Sequence, residues 1–580
     1  MNTLYLEGVS GKLFANLYLP EYVNNPTAWI IVFPAFGDEM NKCRGMVSSQ
    51  ARSLSRAGFA VLVPDLYGTG DSEGDFSDAD WSVWCSDMQR LVEWAKGKGA
   101  FSISFLGVRL GCLLAADVAS SLDFTPDRLV FWQPISDGKQ AMTQFLRLRV
   151  ASTMMSGEKI TVADLRSLSS QGTAIEVAGY EIASDLLEAI DQLKLEVLLQ
   201  SDCDITWIEV VSNKDKPLPL GSRKKIEALQ GMGKRIDVTL ITGDAFWSTQ
   251  EITNLPQLIV NTTSIFSKVV SPASGQCDQH YFDHEMRCGI ERAVSFSCSG
   301  ANLLGVLHQP EPAKSRGILL VVGGPQYRIG SHRQFVLISR ALAAEGYPVF
   351  RFDYRGMGDS EGELKGFEHI SQDITAAIDT FYKEVPSIEK VVIWGLCDAA
   401  SAAAFYSPGD QRVEGLVLLN PWVRSEQGAA KAYLKHYYIK RLFTLSFWDK
   451  VLKGKFDVSG SLQSLFTMMV QSRSSGKVCD DNETPVERTK IDSSPVTAGL
   501  SSRLFHALKG FKGKVLFVLS ENDLTAAEFK ESVKQSKPFS RLISESRFTT
   551  KHLLQADHTF SKREWRDSVI RFTLVWLASW

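Results

Sequence analysis

The sequence predicts an α/β fold built twice, as two tandem domains. Each domain is predicted to have a mostly parallel sheet, helices on both faces of that sheet, and a helical cap inserted between strands. The segment Asp65–Gly74 (DLYGTGDSEG) recurs as Asp353–Gly362 (DYRGMGDSEG), and Gly107–Gly111 (GVRLG) recurs at the same spacing as Gly395–Ala399 (GLCDA). Short apolar runs also alternate with helical patterns throughout, which is typical of a parallel sheet covered on both faces.

The length and composition agree with two soluble domains. A chain of 580 residues is too long for one hydrophobic core. A charged fraction of 22%, a hydrophobic fraction of 44% and a net charge of −3 are ordinary for globular proteins and give no reason to expect nucleic acid as a partner. The nine cysteines have no regular spacing, which favours a reducing, cytoplasmic compartment over a disulfide framework. We expect no signal peptide at Met1–Glu7 and no membrane-spanning segment.

Corresponding apolar runs in the two halves are the predicted strands. They are Trp29–Phe33, Ala60–Pro64, Ile103–Leu106, Leu129–Trp132, Ile205–Val211 and Asp237–Ile241 in the first half, and Ile318–Val322, Val349–Phe352, Val391–Trp394, Leu416–Leu419, Val515–Leu519 and a run near Leu553 in the second. The stretch 267–289 breaks this periodicity with Ser, Pro, Gly and Gln, so it is the predicted linker between a domain over 1–266 and a domain over 290–580.

A long insertion separates the fourth predicted strand from the fifth in each half, at Ile135–Cys203 and at Val423–Lys512. Both are predicted helical caps, because loops on a rigid scaffold commonly carry specificity. Within the second insertion, the polar tract Val478–Pro495 is predicted to be a mobile loop. The segment Ala432–Phe443 interleaves basic and aromatic residues and is predicted to be a cap helix over the active site; a helix lying on a membrane surface is the alternative.

The segment Trp394–Ser401 carries the first chemical signal. It ends an apolar strand and opens a helix of small residues, the context in which a G-x-S-x-G pattern makes a sharp turn that exposes its central side chain. Here the central residue is Cys397, and the last glycine of the pattern is replaced by Ala399. A helix N-terminus favours the thiolate, which is the reactive form of cysteine. The alternative is a buried structural cysteine, a common fate of this residue type.

Two further residues favour the catalytic interpretation. A nucleophile at such a turn needs an acid after the next-to-last strand and a histidine after the last strand. Asp523 and His558 stand at those positions. Taken singly, Asp523 could be a helix N-cap and His558 a surface residue. Because all three residues occur in the required order and context, we predict a triad of Cys397, Asp523 and His558, in which the histidine receives the thiol proton and the aspartate orients the imidazole.

The oxyanion of an acyl intermediate needs two main-chain donors. We predict the N–H of Asp398, which follows the nucleophile, and the N–H of Gln326, in the loop after the strand ending at Val322. Pro325 in that loop has no N–H, which favours Gln326. The glycine loop is not followed by Gly-Lys-Ser/Thr, so phosphate binding is not indicated, and the predicted site uses no metal and no cofactor.

The first half lacks this chemistry. Arg109 stands where Cys397 stands, Asp215 matches Asp523, and Ala245 falls where His558 falls. All nine histidines lie at His280 or later, so the first half has no histidine to act as a base. One hypothesis is a decayed domain kept for packing. The other is an anion site, because a guanidinium at a helix N-terminus can receive a carboxylate or a phosphate.

The longest motifs resemble a known pair of bacterial proteins. Gly323–Gln334, Trp394–Ser401 and Asn420–Arg424 resemble the type 1 hydrolase associated with exosortase A systems. The first half resembles the type 2 hydrolase of the same systems, through Glu39–Lys42 and the segments Asp65–Gly68 and Leu106–Gly111.

This resemblance covers nearly the whole chain, and it implies the α/β-hydrolase fold in both halves. It also implies a cytoplasmic role near exopolysaccharide export and protein sorting, on a small-molecule or polymer-linked acyl substrate. Type 2 members are similar to this chain in having arginine at the turn. The predicted function is hydrolysis of an ester or thioester through a Cys397 acyl-enzyme; acyl transfer to a polymer hydroxyl and a non-catalytic binding scaffold are the alternatives.

Overall fold

The computed structural model describes residues 1–22, 26–156, 159–249, 252–269, 287–423 and 499–580. The chain divides into two compact units: Met1–Glu389 with Ser561–Arg571, and Lys390–Phe560 with Phe572–Trp580. The first unit therefore contains the first half of the chain together with the beginning of the second half. Most of the predicted linker (270–286), the predicted cap helix Ala432–Phe443 and the predicted mobile loop Val478–Pro495 lie outside the described residues.

The first half contains an eight-stranded sheet in the order β1-β2-β4-β3-β5-β6-β9-β10, and a separate hairpin of β7 and β8. Only the β1–β2 and β2–β4 pairs of this sheet are antiparallel. The strands are β1 (Asn2–Glu7), β2 (Lys12–Tyr18), β3 (Ala28–Phe33), β4 (Ala60–Pro64), β5 (Ser102–Val108), β6 (Arg128–Trp132), β7 (Ile175–Val177), β8 (Tyr180–Ile182), β9 (Asp204–Val211) and β10 (Ile236–Thr242).

Helices cover both faces of this sheet. They are α1 (Asp38–Arg56), α2 (Trp81–Gly97), α3 (Gly111–Ser121), α4 (Gly138–Ser156), α5 (Val162–Ser170), α6 (Ser184–Gln192), α7 (Leu195–Leu198), α8 (Leu220–Gly231) and α9 (Pro256–Val269). Successive residues of β3 enter different cores: Ile31 packs with residues of α2 and α3, and Ile30 packs with residues of α1 and α9. The insertion predicted as a cap is helical, because it contains α4 to α7.

The strands of the second half are divided between the two units. In the first unit they follow the order β11-β12-β13-β15-β14, where only the β14–β15 pair is parallel. In the second unit β16-β17-β18-β19 are all parallel. The strands are β11 (Arg287–Cys288), β12 (Glu291–Cys298), β13 (Ala301–His308), β14 (Arg316–Val321), β15 (Val349–Phe352), β16 (Lys390–Leu396), β17 (Val413–Leu419), β18 (Lys514–Ser520) and β19 (Phe548–Leu553).

The described helices of the second half follow the same alternation with strands. They are α10 (Gln334–Ala344), α11 (Ser371–Glu384), α12 (Asp398–Tyr406), α13 (Leu500–Gly510), α14 (Leu524–Gln535), α15 (Lys537–Ile543) and α16 (Arg563–Ala578). Each predicted strand is a strand in the structure, and each half of the chain carries a mostly parallel sheet with helices, which confirms the predicted fold class. Among the helices that the structure describes, none combines the length and the apolar character needed to cross a bilayer.

Candidate functional site

Cys397 lies at a sharp turn between β16 and α12. Its backbone has φ 62° and ψ −122°, a conformation that is strained for a residue with a side chain. The turn requires small neighbours, because a Cβ added at Gly395 would lie 2.8 Å from the carbonyl carbon of Ala399. The Cys397 N–H donates to the Leu419 carbonyl oxygen at 2.9 Å, which ties the turn to β17. This is the strand–turn–helix geometry that the sequence predicts, and the role of Cys397 as a nucleophile stays a prediction.

The structure brings the three predicted triad residues together. His558 Nδ1 lies 3.0 Å from Asp523 Oδ1, and the imidazole of His558 is hydrogen-bonded to the Cys397 thiol. The other carboxylate oxygen of Asp523 accepts from the Ala526 N–H at 2.9 Å and caps α14. Asp523 is therefore both a helix N-cap and the partner of His558. The cap fixes the carboxylate, and the carboxylate in turn orients the imidazole.

Cys397 and His558 both have raised pKa values. Burial raises the pKa of the Cys397 thiol, and the hydrogen bond from His558 offsets only part of that rise. Burial by itself lowers the pKa of His558, but hydrogen bonds and charge from Asp523 and Cys397 outweigh it and raise the pKa to about 10. The side chain of His558 is 36% exposed, so a substrate can reach the imidazole. At neutral pH the imidazole therefore already holds a proton, and a thiolate forms only when the pair loses one of its two protons.

Asp398 and Gln326 are the two predicted oxyanion donors. The N–H of Asp398 donates to the Cys397 sulfur. Gln326 lies in the loop after β14, within the first unit, and its side-chain amide donates to the Ser331 hydroxyl. The oxyanion roles of Asp398 and Gln326 stay predictions.

Asn420, at the end of β17, is a site residue that the sequence interpretation missed. The side chain is buried, and its Nδ2 donates to the His558 carbonyl oxygen at 2.9 Å. Its Oδ1 accepts from the Ser520 N–H at 2.9 Å, at the end of the strand that leads to Asp523. Asn420 thus connects the segments that carry two triad residues. The repeat contains a signal for it, since Leu419-Asn420-Pro421 matches Trp132-Gln133-Pro134.

The first half has the same turn, with Arg109 in the place of Cys397. Arg109 has φ 57°, close to the value of Cys397, so the backbone strain is retained. Its guanidinium is bound by neighbours in the same half: Nε and Nη2 contact the Glu39 carboxylate at 3.1 and 2.9 Å, and Nη1 donates to the Gln133 carbonyl oxygen at 3.0 Å. The guanidinium carbon also lies 4.9 Å from the ring centroid of Trp247. An external carboxylate or phosphate would have to compete with Glu39, and the anion hypothesis stays a prediction.

The first-half counterparts of Asp523 and His558 are Asp215 and Ala245, and they do not form a base with an orienting acid. Asp215 is exposed in the loop after β9, where its main-chain N–H donates to the Asn213 side chain at 3.1 Å. Ala245 follows β10 and has no proton-accepting side chain. Among the residues that the structure describes, no group of His, Cys, Asp and Glu could hold a metal ion.

Two protein families match the chain, one in each half. The family described as "Serine aminopeptidase, S33" matches residues 313–523, which include Cys397 and Asp523. The family described as "X-Pro dipeptidyl-peptidase (S15 family)" matches residues 8–144, which include Arg109. The chain carries two tandem α/β-hydrolase-fold domains. The matches support a hydrolase.

Solved structures of esterases are similar to about half of the chain. An esterase from Pyrococcus furiosus has 14% sequence identity and a TM-score of 0.32, and the match covers 50% of this chain and 91% of that one. Est1E from Butyrivibrio proteoclasticus, solved with ferulic acid bound, has 18% identity and a TM-score of 0.35, with coverage of 46% and 98%. No curated protein matches the chain.

Proposed function

We propose that the second half is an acyl hydrolase with a cysteine nucleophile, acting on an ester or a thioester. The observation that carries this proposal is the contact of Cys397, His558 and Asp523 at a strained strand-to-helix turn. Such a turn with a nucleophile, a base and an orienting acid is the arrangement used for acyl transfer. A thiol nucleophile suits a thioester substrate, because attack exchanges one sulfur leaving group for another.

The proposed reaction has two steps. The pair reacts after it has lost one of its two protons: the Cys397 sulfur attacks the acyl carbon while His558 holds the remaining proton, and the tetrahedral oxyanion accepts from the Asp398 N–H and from the predicted donor Gln326. Collapse breaks the bond to the alcohol or thiol, which leaves with the proton held by His558. A water molecule then gives its proton to His558 and attacks the acyl-enzyme, and the returning proton restores the thiol.

The resemblance to exosortase A system-associated hydrolases guides the choice of substrate. It favours an acyl group on a precursor or product of exopolysaccharide assembly, and a cytoplasmic location, where a reducing environment keeps Cys397 as a thiol. In this proposal the first half, with Arg109 bound to Glu39, takes no part in covalent chemistry.

Intact-mass measurement tests the proposal. The protein is exposed to S-phenyl thioesters and p-nitrophenyl esters of acetate, butyrate and octanoate. We expect one acyl adduct on the wild type, its absence in Cys397→Ala, and its retention in Cys85→Ala, a variant of another partly exposed cysteine. His558→Ala should abolish turnover. Decay of the adduct in water supports hydrolysis, and decay only with added sugar alcohols supports acyl transfer. No adduct and no turnover across the panel contradict the proposal and favour a binding scaffold.

A further inference from the structure

The last strand of the first-half sheet, β10, has one open side. Among the described strands it pairs only with β9, in parallel. The Arg235 carbonyl oxygen accepts from the Ile205 N–H at 3.0 Å. At the other end of the strand, the Gly243 N–H donates to the Val211 carbonyl oxygen at 2.9 Å. Because main-chain groups along a strand in a parallel pair alternate in direction, the odd-numbered residues face β9. The groups that face away from β9 belong to Ile236, Val238, Leu240 and Thr242.

The outward main-chain groups are available to a further strand. Among the described residues, a single hydrogen bond reaches them, from Gln230 Nε2 to the Ile236 carbonyl oxygen at 3.4 Å. Within the same part of the chain, nothing bonds to the outward N–H and carbonyl groups of Val238 and Leu240. A row of such groups at a sheet edge is a template on which another strand can pair.

The side chains at this edge are apolar and reach solvent. Val238 is 41% exposed and Leu240 is 43% exposed. They lie on the same face of the sheet, because side chains two residues apart in a strand point the same way. An exposed apolar edge strand favours association with another strand, and proteins commonly protect such edges with charged side chains.

The second half shows that protection at the corresponding strand. β19 is the last strand of its sheet, as β10 is of the first-half sheet. Its exposed residues are Thr550, Lys551 and His552. A lysine on an edge strand opposes pairing, because its charge would have to leave water. The two copies of one strand therefore differ: the edge of the second half is protected against pairing, whereas the edge of the first half is not.

The edge of β10 is complementary to itself. A two-fold axis pairs a strand with its own copy in the antiparallel direction. With the axis at Thr239, Val238 lies opposite the second copy's Leu240, and Leu240 lies opposite the second copy's Val238. Both positions have outward main-chain groups, so each pair exchanges two N–H···O bonds. The apolar side chains of these pairs then meet across the strands and leave water together.

The charges at the two ends of β10 favour the same register. Lys234 precedes the strand, and the exposed Asp244 follows it. Lys234 Nζ donates to the Ser201 carbonyl oxygen at 3.0 Å and lies 3.5 Å from the exposed Asp202, so its charge stays beside the strand. In the register centred on Thr239, Lys234 of each copy lies opposite Asp244 of the other. Such complementarity fixes the direction and the register of an association.

We propose that β10 is a homodimer interface, in which the β10 strands of two copies of this chain pair in the antiparallel direction about a two-fold axis at Thr239. The two first-half sheets then continue into each other through this edge. The first half gains a function that needs no nucleophile at the Arg109 turn. This inference does not depend on the acyl chemistry proposed for the second half.

Sedimentation velocity of the full-length protein over a concentration series tests the interface. We expect the wild type to form a dimer. Val238→Glu and Leu240→Lys each place a charge opposite an apolar side chain of the second copy, and each should raise the Kd of the dimer by at least about tenfold. The double variant places glutamate opposite lysine in both pairs. Its Kd should lie at least about fivefold below that of either single variant.

The matched control is Thr550→Lys, at an exposed position of the protected edge strand β19, and it should leave the Kd unchanged. A wild type that stays monomeric at every concentration would overturn the interface. A dimer that neither single variant weakens would also overturn it, because that dimer forms elsewhere on the chain. A double variant no tighter than the single variants would rule out the pairing centred on Thr239. None of these results bears on the acyl chemistry, which the adduct measurement tests separately.

Discussion

The state of one proton decides how the Cys397–His558 pair reacts. Many reactive cysteines have a lowered pKa and exist as thiolate at neutral pH. Cys397 differs, because burial raises the pKa of its thiol while the pKa of His558 is raised to about 10. At pH 7 both groups therefore hold their protons. The pair loses its first proton only in the alkaline range, and in the proposed mechanism this first loss produces the nucleophile.

A pH profile of alkylation follows from these two shifts. Because only the deprotonated pair reacts, the rate of Cys397 alkylation by iodoacetamide should rise roughly tenfold per pH unit between pH 6 and 8, without a plateau. The rate is measured by intact mass, with Cys397→Ala as the background. A rate that is constant over this range would mean that a thiolate is already formed at pH 6, contrary to the raised thiol pKa.

At the scale of elements, the strand–turn–helix unit has the same backbone geometry in both halves, although only the second half has a cysteine at the turn. Arg109 and Cys397 share nearly the same φ, and each turn needs a small residue where strand and helix meet. A Cβ at Gly107 would lie 2.8 Å from Cys112 Cα, just as one at Gly395 would strike the main chain of Ala399. The turn is therefore fixed by packing rather than by the side chain at its tip. This is why the repeat is visible in the sequence although one copy has no nucleophile.

Local patterns predicted the parallel strands and missed the antiparallel ones. β3 and β4 are buried along their whole length and give continuous apolar runs. β1 and β2 carry Thr3 and Asn16, two buried polar residues joined across the strands by a 2.8 Å hydrogen bond from the Thr3 hydroxyl to Asn16 Oδ1. In the sequence, a polar residue within an apolar run suggests a loop, because the residue that hydrogen-bonds to it lies in another segment.

The candidate site shows the same limit. The order of Cys397, Asp523 and His558 along the chain follows from the fold class, so sequence alone could predict it. The role of Asn420 could not be predicted in this way, because it depends on three segments meeting in space.

Asn420 offers a test of how these elements position the base. Its side chain joins the end of β17 to the end of β18 and to the His558 loop. Asn420→Ala should lower kcat by roughly ten- to a hundredfold with little change in KM, because a misplaced base loses general-base catalysis rather than binding. The matched control is Gln133→Ala, whose side chain joins Val210 and Glu209 in the first half. If both variants lose activity equally, Asn420 has a structural role only.

At the scale of the whole molecule, the repeated Gly-Asp-Ser segments hold the two halves together. Their glycines have the positive φ expected of tight turns. Their aspartates have a further role that the sequence did not indicate, since Asp71 and Asp359 bind arginines across the halves. Arginines and aspartates scattered over some 300 residues of sequence give no local pattern for such a cluster. The two copies therefore share, besides the fold, a buried aspartate that binds arginines of the other half.

The substitution Asp71→Asn tests what these buried ion pairs contribute to stability. Asp71 is fully buried, 2.7 Å from Arg328 Nη2 and 2.8 Å from Arg351 Nη1. Removal of its charge leaves two buried guanidinium groups under-compensated and should lower the free energy of unfolding by about 3–5 kcal/mol at pH 7, measured by urea denaturation. Asp237→Asn removes an exposed partner of Arg128 and should cost less than about 1 kcal/mol.

Acid should reduce the difference in stability between wild type and Asp71→Asn. Burial alone raises the pKa of Asp71, but Arg328 and Arg351 outweigh it and lower the pKa to about 2. A carboxyl with a lowered pKa stabilises the folded state above its unfolded pKa of about 3.9, and this contribution is lost as the pH falls through the folded value. The difference between the two stabilities should therefore shrink by about 2–3 kcal/mol between about pH 4 and pH 2. A difference that persists unchanged at pH 2 would show that Asp71 acts through packing and not through its charge.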